Sequence, residues 1–123
     1  MPPGATIVIK NSKDDQDRNG GLGKAQLQAS EQVLVYRVKA RSRYCNGNIN
    51  IVNPSPTNAE IMLWVSREAS PSAADLIESR IVLSPDAVYV RTNIVLGPDE
   101  AVFALSNISG PVIRVEGFEN NLL

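Results

Sequence analysis

The sequence predicts an all-β protein, an antiparallel β-sandwich of jelly-roll or immunoglobulin-like type. Three observations point there. Apolar and polar residues alternate with period two in short runs, as strands with one buried face require. Turn formers divide those runs at Pro85-Asp86, Gly97-Pro98-Asp99 and Ser109-Gly110-Pro111. No helical run is long enough for a strand–helix–strand unit, so the layers must be sheet on sheet.

The elements follow in order. "TIVIK" (Thr6–Lys10) reads as a first short strand. The next segment, Asn11 to Ser30, is polar and rich in Gly, Asp and Asn, and reads as a loop. A connection of that length is uncommon inside a compact domain. The expected division is therefore an extended N-terminal arm over residues 1–30 and a sandwich domain over 31–123. Such an arm is suited to docking on a neighbouring subunit.

"EQVLVYRVKA" begins the sandwich, with Leu34, Tyr36 and Val38 on one face and Val35, Arg37 and Lys39 on the other. In "CNGNINIVN", Gly47, Ile49 and Ile51 alternate with Asn46, Asn48 and Asn50, so an asparagine row faces water or a partner. "AEIMLWVSR" is apolar on both faces, with Ile61, Leu63 and Val65 opposite Met62 and Trp64, as a central strand would be. "SPSAADLIESR" predicts a short helical turn within residues 71–78, capped by Ser70 and opened by Pro71. Strand patterns resume in "SRIVLS", "AVYVRT", "EAVFALS" and "PVIRVEGFE".

Composition narrows the chemistry. With 123 residues, 43% hydrophobic and 20% charged, the chain has enough apolar material for a core without disulfides. It contains no histidine, which removes the commonest general base and most transition-metal sites. Cys45 is the single cysteine, so no internal disulfide or cysteine cage is expected; a buried small hydrophobe is the expected role. The net charge of -1 argues against nucleic acid, whose binders carry a basic excess. No apolar stretch has the length of a membrane span, and "MPPGATIVIKNSKDD" lacks a secretory pattern, so neither membrane nor export is expected.

A few residues invite a chemical reading. Asp15, Asp17 and Asn19 occupy alternating ligand positions of a calcium loop, with Gly20 at its sharp turn. The closing twelfth position is Gln26, so the bidentate carboxylate is lacking and a solvated turn competes with calcium. The same stretch is not a phosphate loop, because Arg18 and Ala25 stand where Gly and Ser or Thr belong. Asp99 with Glu100, and Glu116 with Glu119, are carboxylates close in sequence, but the expectation is ordinary turn and surface roles. Arg37, Lys39, Arg41 and Arg43 recur every second residue and suggest a basic stripe. Trp64 sits among apolar neighbours and reads as core. The expected protein is not an enzyme and takes no cofactor, with calcium the one cofactor that has a partial motif.

"VLVYRVKA", the asparagine-bearing "NGNINIVNPSPTNAEIMLWVS", "AADLIE", a turn of the form R-T-x-[IL]-V-L-G-x-x-E and a closing "VEGFE" occur in that order between Glu31 and Glu119. In these features the chain resembles a small β-sandwich module of virion proteins of tailed bacteriophages, notably phages of cyanobacteria. The resemblance implies a structural protein of the virion, made in the host cytoplasm. Such a protein is a capsid decoration (cement) protein or else a tail, baseplate or fibre-attachment component. Its expected partners are copies of itself, as a trimer or larger symmetric oligomer, and the major capsid protein or tail proteins. No catalytic residue carries over, and the N-terminal segment is not covered. A carbohydrate-binding module is the third alternative. The residue pattern agrees in kind, since Met62 with Trp64, Val88 with Val90, and Phe103 with Leu105 supply second apolar faces that something must cover. Ile7 and Ile9 of the first strand join Met62, Trp64, Val88 and Val90 as candidate interface residues.

Overall fold

The strands pair as a nest. In the computed structural model, which describes residues 18–39 and 43–121, β1 (Arg18–Gln26) pairs with β8 (Val112–Asn121) and β2 (Val33–Arg37) with β7 (Ala101–Ser106). Inside these, β3 (Arg43–Val52) pairs with β6 (Val88–Leu96) and β4 (Ala59–Ser66) with β5 (Leu76–Leu83), all antiparallel. First with last, second with seventh and so on is one long hairpin rolled over itself. Rolling brings β8 beside β3 and β7 beside β4, which closes two four-stranded sheets, β1-β8-β3-β6 and β2-β7-β4-β5. This is the eight-stranded jelly roll, and it decides between the two sandwich types the sequence allowed.

Between the sheets lies a core that includes Ile49, Ile51, Ile61, Leu63, Ile113 and Val115, all fully buried. Each such side chain contributes about 1.5–3 kcal/mol. The alternation in β3 is as expected, with Cys45, Gly47, Ile49 and Ile51 inward and the asparagines outward. That of β2 is not. A bulge between Leu34 and Tyr36 buries both Val35 and Tyr36 and leaves Leu34 exposed, because two β2 residues there oppose one on β7.

The polar segment before residue 31 also departs from expectation. Its portion Arg18–Gln26 is not loop but strand β1, hydrogen-bonded along β8. Leu22 is buried, and so is Leu27 just beyond the strand. Glycine is a poor strand former, but here it permits close packing. A Cβ on Gly23 would lie 2.4 Å from the Val35 carbonyl oxygen and 2.8 Å from Tyr36 Cβ. Gly47 and Gly117 face each other across β3 and β8, where a Cβ on Gly47 would fall 2.2 Å from the Glu116 carbonyl oxygen. Residues 1–17, and with them the strand expected over Thr6–Lys10, lie outside the described residues.

The helical turn is shorter than its spacing suggested. Only Ala73–Asp75 form a 3₁₀ turn, capped from Ser72 and not Ser70, and Leu76 already begins β5. The Ser72 amide donates to the Asp75 carboxylate at 2.9 Å, and the Asp75 amide donates to the Ser72 carbonyl at 3.0 Å. The first of these bonds, with Ser66 adding to it, holds the Asp75 carboxyl below its usual range.

Candidate assembly surface

The outer face of the first sheet is built in rows by its register. Val112, Val52 and Val88 stand side by side on β8, β3 and β6; the next row is Arg114, Asn50 and Val90. Further along comes Phe118, Asn46 and Val95. Val88, Val90, Val95 and Phe118 are 61%, 51%, 68% and 59% exposed. Four large apolar side chains on one sheet face, all more than half in water, are costly in an isolated domain and mark a contact surface. Three of them lie on β6, the sheet's edge among the described residues.

Polar groups between them are tied together. Asn50 Nδ2 donates to Glu116 Oε1 at 3.1 Å, Arg114 pairs with Glu116 at 3.0 Å, and the Asn93 amide donates to Asn48 Oδ1 at 3.3 Å. Opposite Arg114 on β1 stands Lys24, with Gly21 and Gly23 beside it. The Glu116 carboxylate partly neutralises this pair of cations.

On the far side of β6 the two sheets meet at an open seam. Glu78 of β5 bridges it, accepting from the Tyr89 hydroxyl at 2.7 Å and from Arg91 Nη1 at 2.5 Å. Burial, and then the neighbouring carboxylate, push the Tyr89 phenol upward. Next to this bridge lies a groove of about 350 Å³, lined by residues 91–96 of β6 together with Val65, Ile77 and Glu100. A bulge at Thr92–Asn93, with Asn93 at φ 57°, separates the groove half of β6 from the half carrying Val88 and Val90.

The structure scatters the other sequence candidates. Trp64 and Met62 lie on the outer face of the second sheet in a cluster with Phe103, Ala101, Leu76 and Leu105. Trp64 is only 8% exposed, so this chain covers it unaided. Arg37 lies beside the cluster. It donates to the carbonyls of Asp99 (2.6 Å), Glu68 (2.8 Å) and Arg67 (3.2 Å), and its guanidinium lies 5.9 Å from the centre of the Phe103 ring.

The basic stripe does not form. Arg37 is committed to those carbonyls, Lys39 is exposed, and Arg41 lies outside the described residues. Arg43 is buried: its Nε donates to Glu119 Oε2 at 2.8 Å and its Nη1 to Asn121 Oδ1 at 3.0 Å. Tyr36 donates its hydroxyl to the other oxygen of Glu119. Glu119 therefore faces the core while Glu116 faces out, so the two carboxylates cannot act on one substrate. Glu100 is likewise occupied, accepting from the Gly97 amide at 2.7 Å. Cys45 is fully buried in the core.

Of the calcium candidates, Asp15 and Asp17 lie outside the described residues, and Asn19 is in β1, where its backbone pairs opposite Phe118. From Arg18 onward the twelve-residue frame is extended strand instead of a loop wrapped around an ion. Among the described residues, no group of three or more acidic or cysteine side chains could hold a metal. Ile7 and Ile9 also lie outside the described residues, whereas Val88 and Val90 are both on the exposed face. Val95 and Phe118 join them only through strand register, which single-strand periodicity does not contain.

No protein-family model and no curated protein matches the chain. Among solved structures it is similar to a chain of the T13 IBDV viral particle, a structure described as a missing link in the evolution of icosahedral viruses. The identity is 7% and the TM-score 0.47, over 85% of this chain and 30% of that one. A chain of infectious bursal disease virus Gx strain gives 9% identity and a TM-score of 0.45, over 85% of this chain and 31% of that one. The chain thus spans less than a third of the length of either.

Proposed function

We propose that this protein is a virion structural component, a capsid decoration protein that binds copies of itself and the shell beneath and has no catalytic role. The observation that carries the reading is the outer face of the first sheet, with Val88, Val90, Val95 and Phe118 each more than half exposed. The jelly roll supports it, being an architecture used for viral capsid domains, though also for lectins and cupins. The resemblance of residues 31–119 to phage virion modules points the same way.

Surface chemistry separates the alternatives within that architecture. A lectin presents several exposed aromatic rings to a sugar. Here Trp64, Phe103 and Tyr36 are buried, Tyr44 and Tyr89 are half-buried, and Phe118 alone among the aromatics is mostly exposed. Repeated weak contacts between identical copies gain strength through multivalency, as a decorated shell requires.

The reading predicts a symmetric oligomer, a trimer in its simplest form, of the 13.3 kDa chain in solution or on the particle. Sedimentation velocity measures the first, and antibody labelling of whole virions the second. Label on heads supports decoration; label on tails moves the protein to the baseplate or fibre attachment. A monomer at every concentration, absent from virions, overturns the reading.

A further inference from the structure

We propose that the groove beside Ile94–Leu96 receives the segment Thr6–Lys10 of a second copy, as a short strand added to the edge of β6. The inference rests on the assembly reading above and deepens it by naming donor and acceptor.

The acceptor has three matching properties. Among the described residues strand β6 ends the order of the first sheet, so its outer row of N–H and C=O groups is available to another chain. Its bulge at Thr92–Asn93 confines regular pairing in this half to Ile94, Val95 and Leu96. The groove next to these three residues offers Val65, Ile77, Ile94 and Leu96 as apolar contacts, beside the polar Arg91, Thr92, Asn93 and Glu100.

The donor fits both length and pattern. In "TIVIK", Ile7 and Ile9 share one face and flank Val8 on the other, so the apolar centre is three residues long, as the acceptor is. Ile7 and Ile9 would enter the groove, and Val8 would join the exposed face beside Val95.

Reach permits either source, and coverage selects between them. Arg18 stands in one row with Glu119, Cys45 and Leu96, three strand spacings or about 14 Å from the groove. The chain from Lys10 to Arg18 spans about 25 Å when extended, enough to reach its own groove or to cross to a neighbour's. A strand added in the sheet plane satisfies the edge but does not cover Val88, Val90 and Val95, which point out of the face. The body of the copy that donates the strand supplies that cover. A same-chain strand brings no such body.

The test compares the full chain, a chain lacking residues 1–10, and the double variant Ile7→Asp with Ile9→Asp, by sedimentation velocity. Circular dichroism checks that each is folded. A peptide spanning Gly4–Asn11 is then titrated into the truncated chain while amide signals are followed by NMR. The expected results are self-association weakened roughly tenfold or more by either change, and peptide-induced shifts at residues 94–96 and 77 that leave β1 unmoved. Undiminished self-association of the truncated chain overturns the donor role while the assembly reading stands. A full chain that is monomeric throughout, and absent from virions, brings down both. A monomer in which residues 94–96 lose amide protection only on truncation shows same-chain docking, and overturns the exchange between copies.

Discussion

The outer faces of the two sheets carry similar apolar side chains and meet different fates. On the second sheet, Trp64 and Phe103 are 8% and 3% exposed, packed with Ala101, Met62, Leu76 and Leu105, and Arg37 beside the Phe103 ring ties down the carbonyls of Arg67, Glu68 and Asp99. Leu34 and Val82 remain open at its margins. On the first sheet, nothing among the described residues does the same for Val88, Val90, Val95 and Phe118. A second apolar face in the sequence is therefore not by itself a sign of a partner. What distinguishes the two is whether a loop of the same chain is long enough, and pinned well enough, to cover it. Arg37 pins the loop at Arg67 and Glu68 from β2, whereas the connection beside Val88 is the short turn at Pro85-Asp86.

The contrast is open to direct attack, and the strongest blow falls on the covered face. Trp64→Ala removes a large packed ring and should cost about 3–5 kcal/mol in urea unfolding of the isolated chain. A loss below about 1 kcal/mol would mean that the cluster is not a packed satellite core. Next comes Arg37→Ala, which strips the charged donor from three carbonyls and should cost about 1.5–3 kcal/mol. Because Trp64 is the only tryptophan, its emission should also move to the red as the loop loosens, and unchanged emission would assign the cover to other contacts.

A smaller effect is expected from acid. The Asp75 carboxyl is held below the usual 3.8 by the Ser72 amide first, with Ser66 adding to it. A depressed folded value means its contribution is present above the ordinary carboxylate range and is lost as pH falls through the folded value. An NMR titration of Asp75 should therefore find its midpoint under that of an unstructured aspartate, and the Ser72 amide should lose protection on the same curve. Coincidence with the unstructured midpoint would detach this cap from the loop. Least of all should happen to the stability of the isolated chain when Val88 and Val90 are both changed to Ser: within about 0.5 kcal/mol for exposed sites. Their effect belongs in assembly, where the same pair should lower self-association while Trp64 emission stays put. Loss of monomer stability comparable to Arg37→Ala would show that the open face is covered after all.

The residues themselves made several features readable. Alternation in "CNGNINIVN" and two-sided apolarity in "AEIMLWVSR" follow from the pleat, a local property, and both strands are where the pattern put them. Pro85-Asp86 and Gly97-Pro98-Asp99 likewise make the turns they announce, with Asp86 and Asp99 both at φ 65°. Strand β1 was hidden because its glycines and polar residues carry no strand propensity of their own; its pairing with β8 is a long-range event. Arg43 was hidden for the same reason. Nothing local separates it from Arg37 and Lys39, yet its place opposite Asn121 and next to Glu119 puts its charge inside the sandwich.

What the amino-acid order determined alone was the material: most of the runs that are strands, where they turn, that no histidine is present, and that more apolar surface exists than one core consumes. The tertiary structure decided the rest. Only the rolled hairpin settles jelly roll against immunoglobulin topology, and only register gathers Val88, Val90, Val95 and Phe118 on one face while folding Trp64 out of water. The reason is geometric: side-chain alternation repeats every two residues along one strand, but a surface is made across strands, by pairings between residues far apart in sequence.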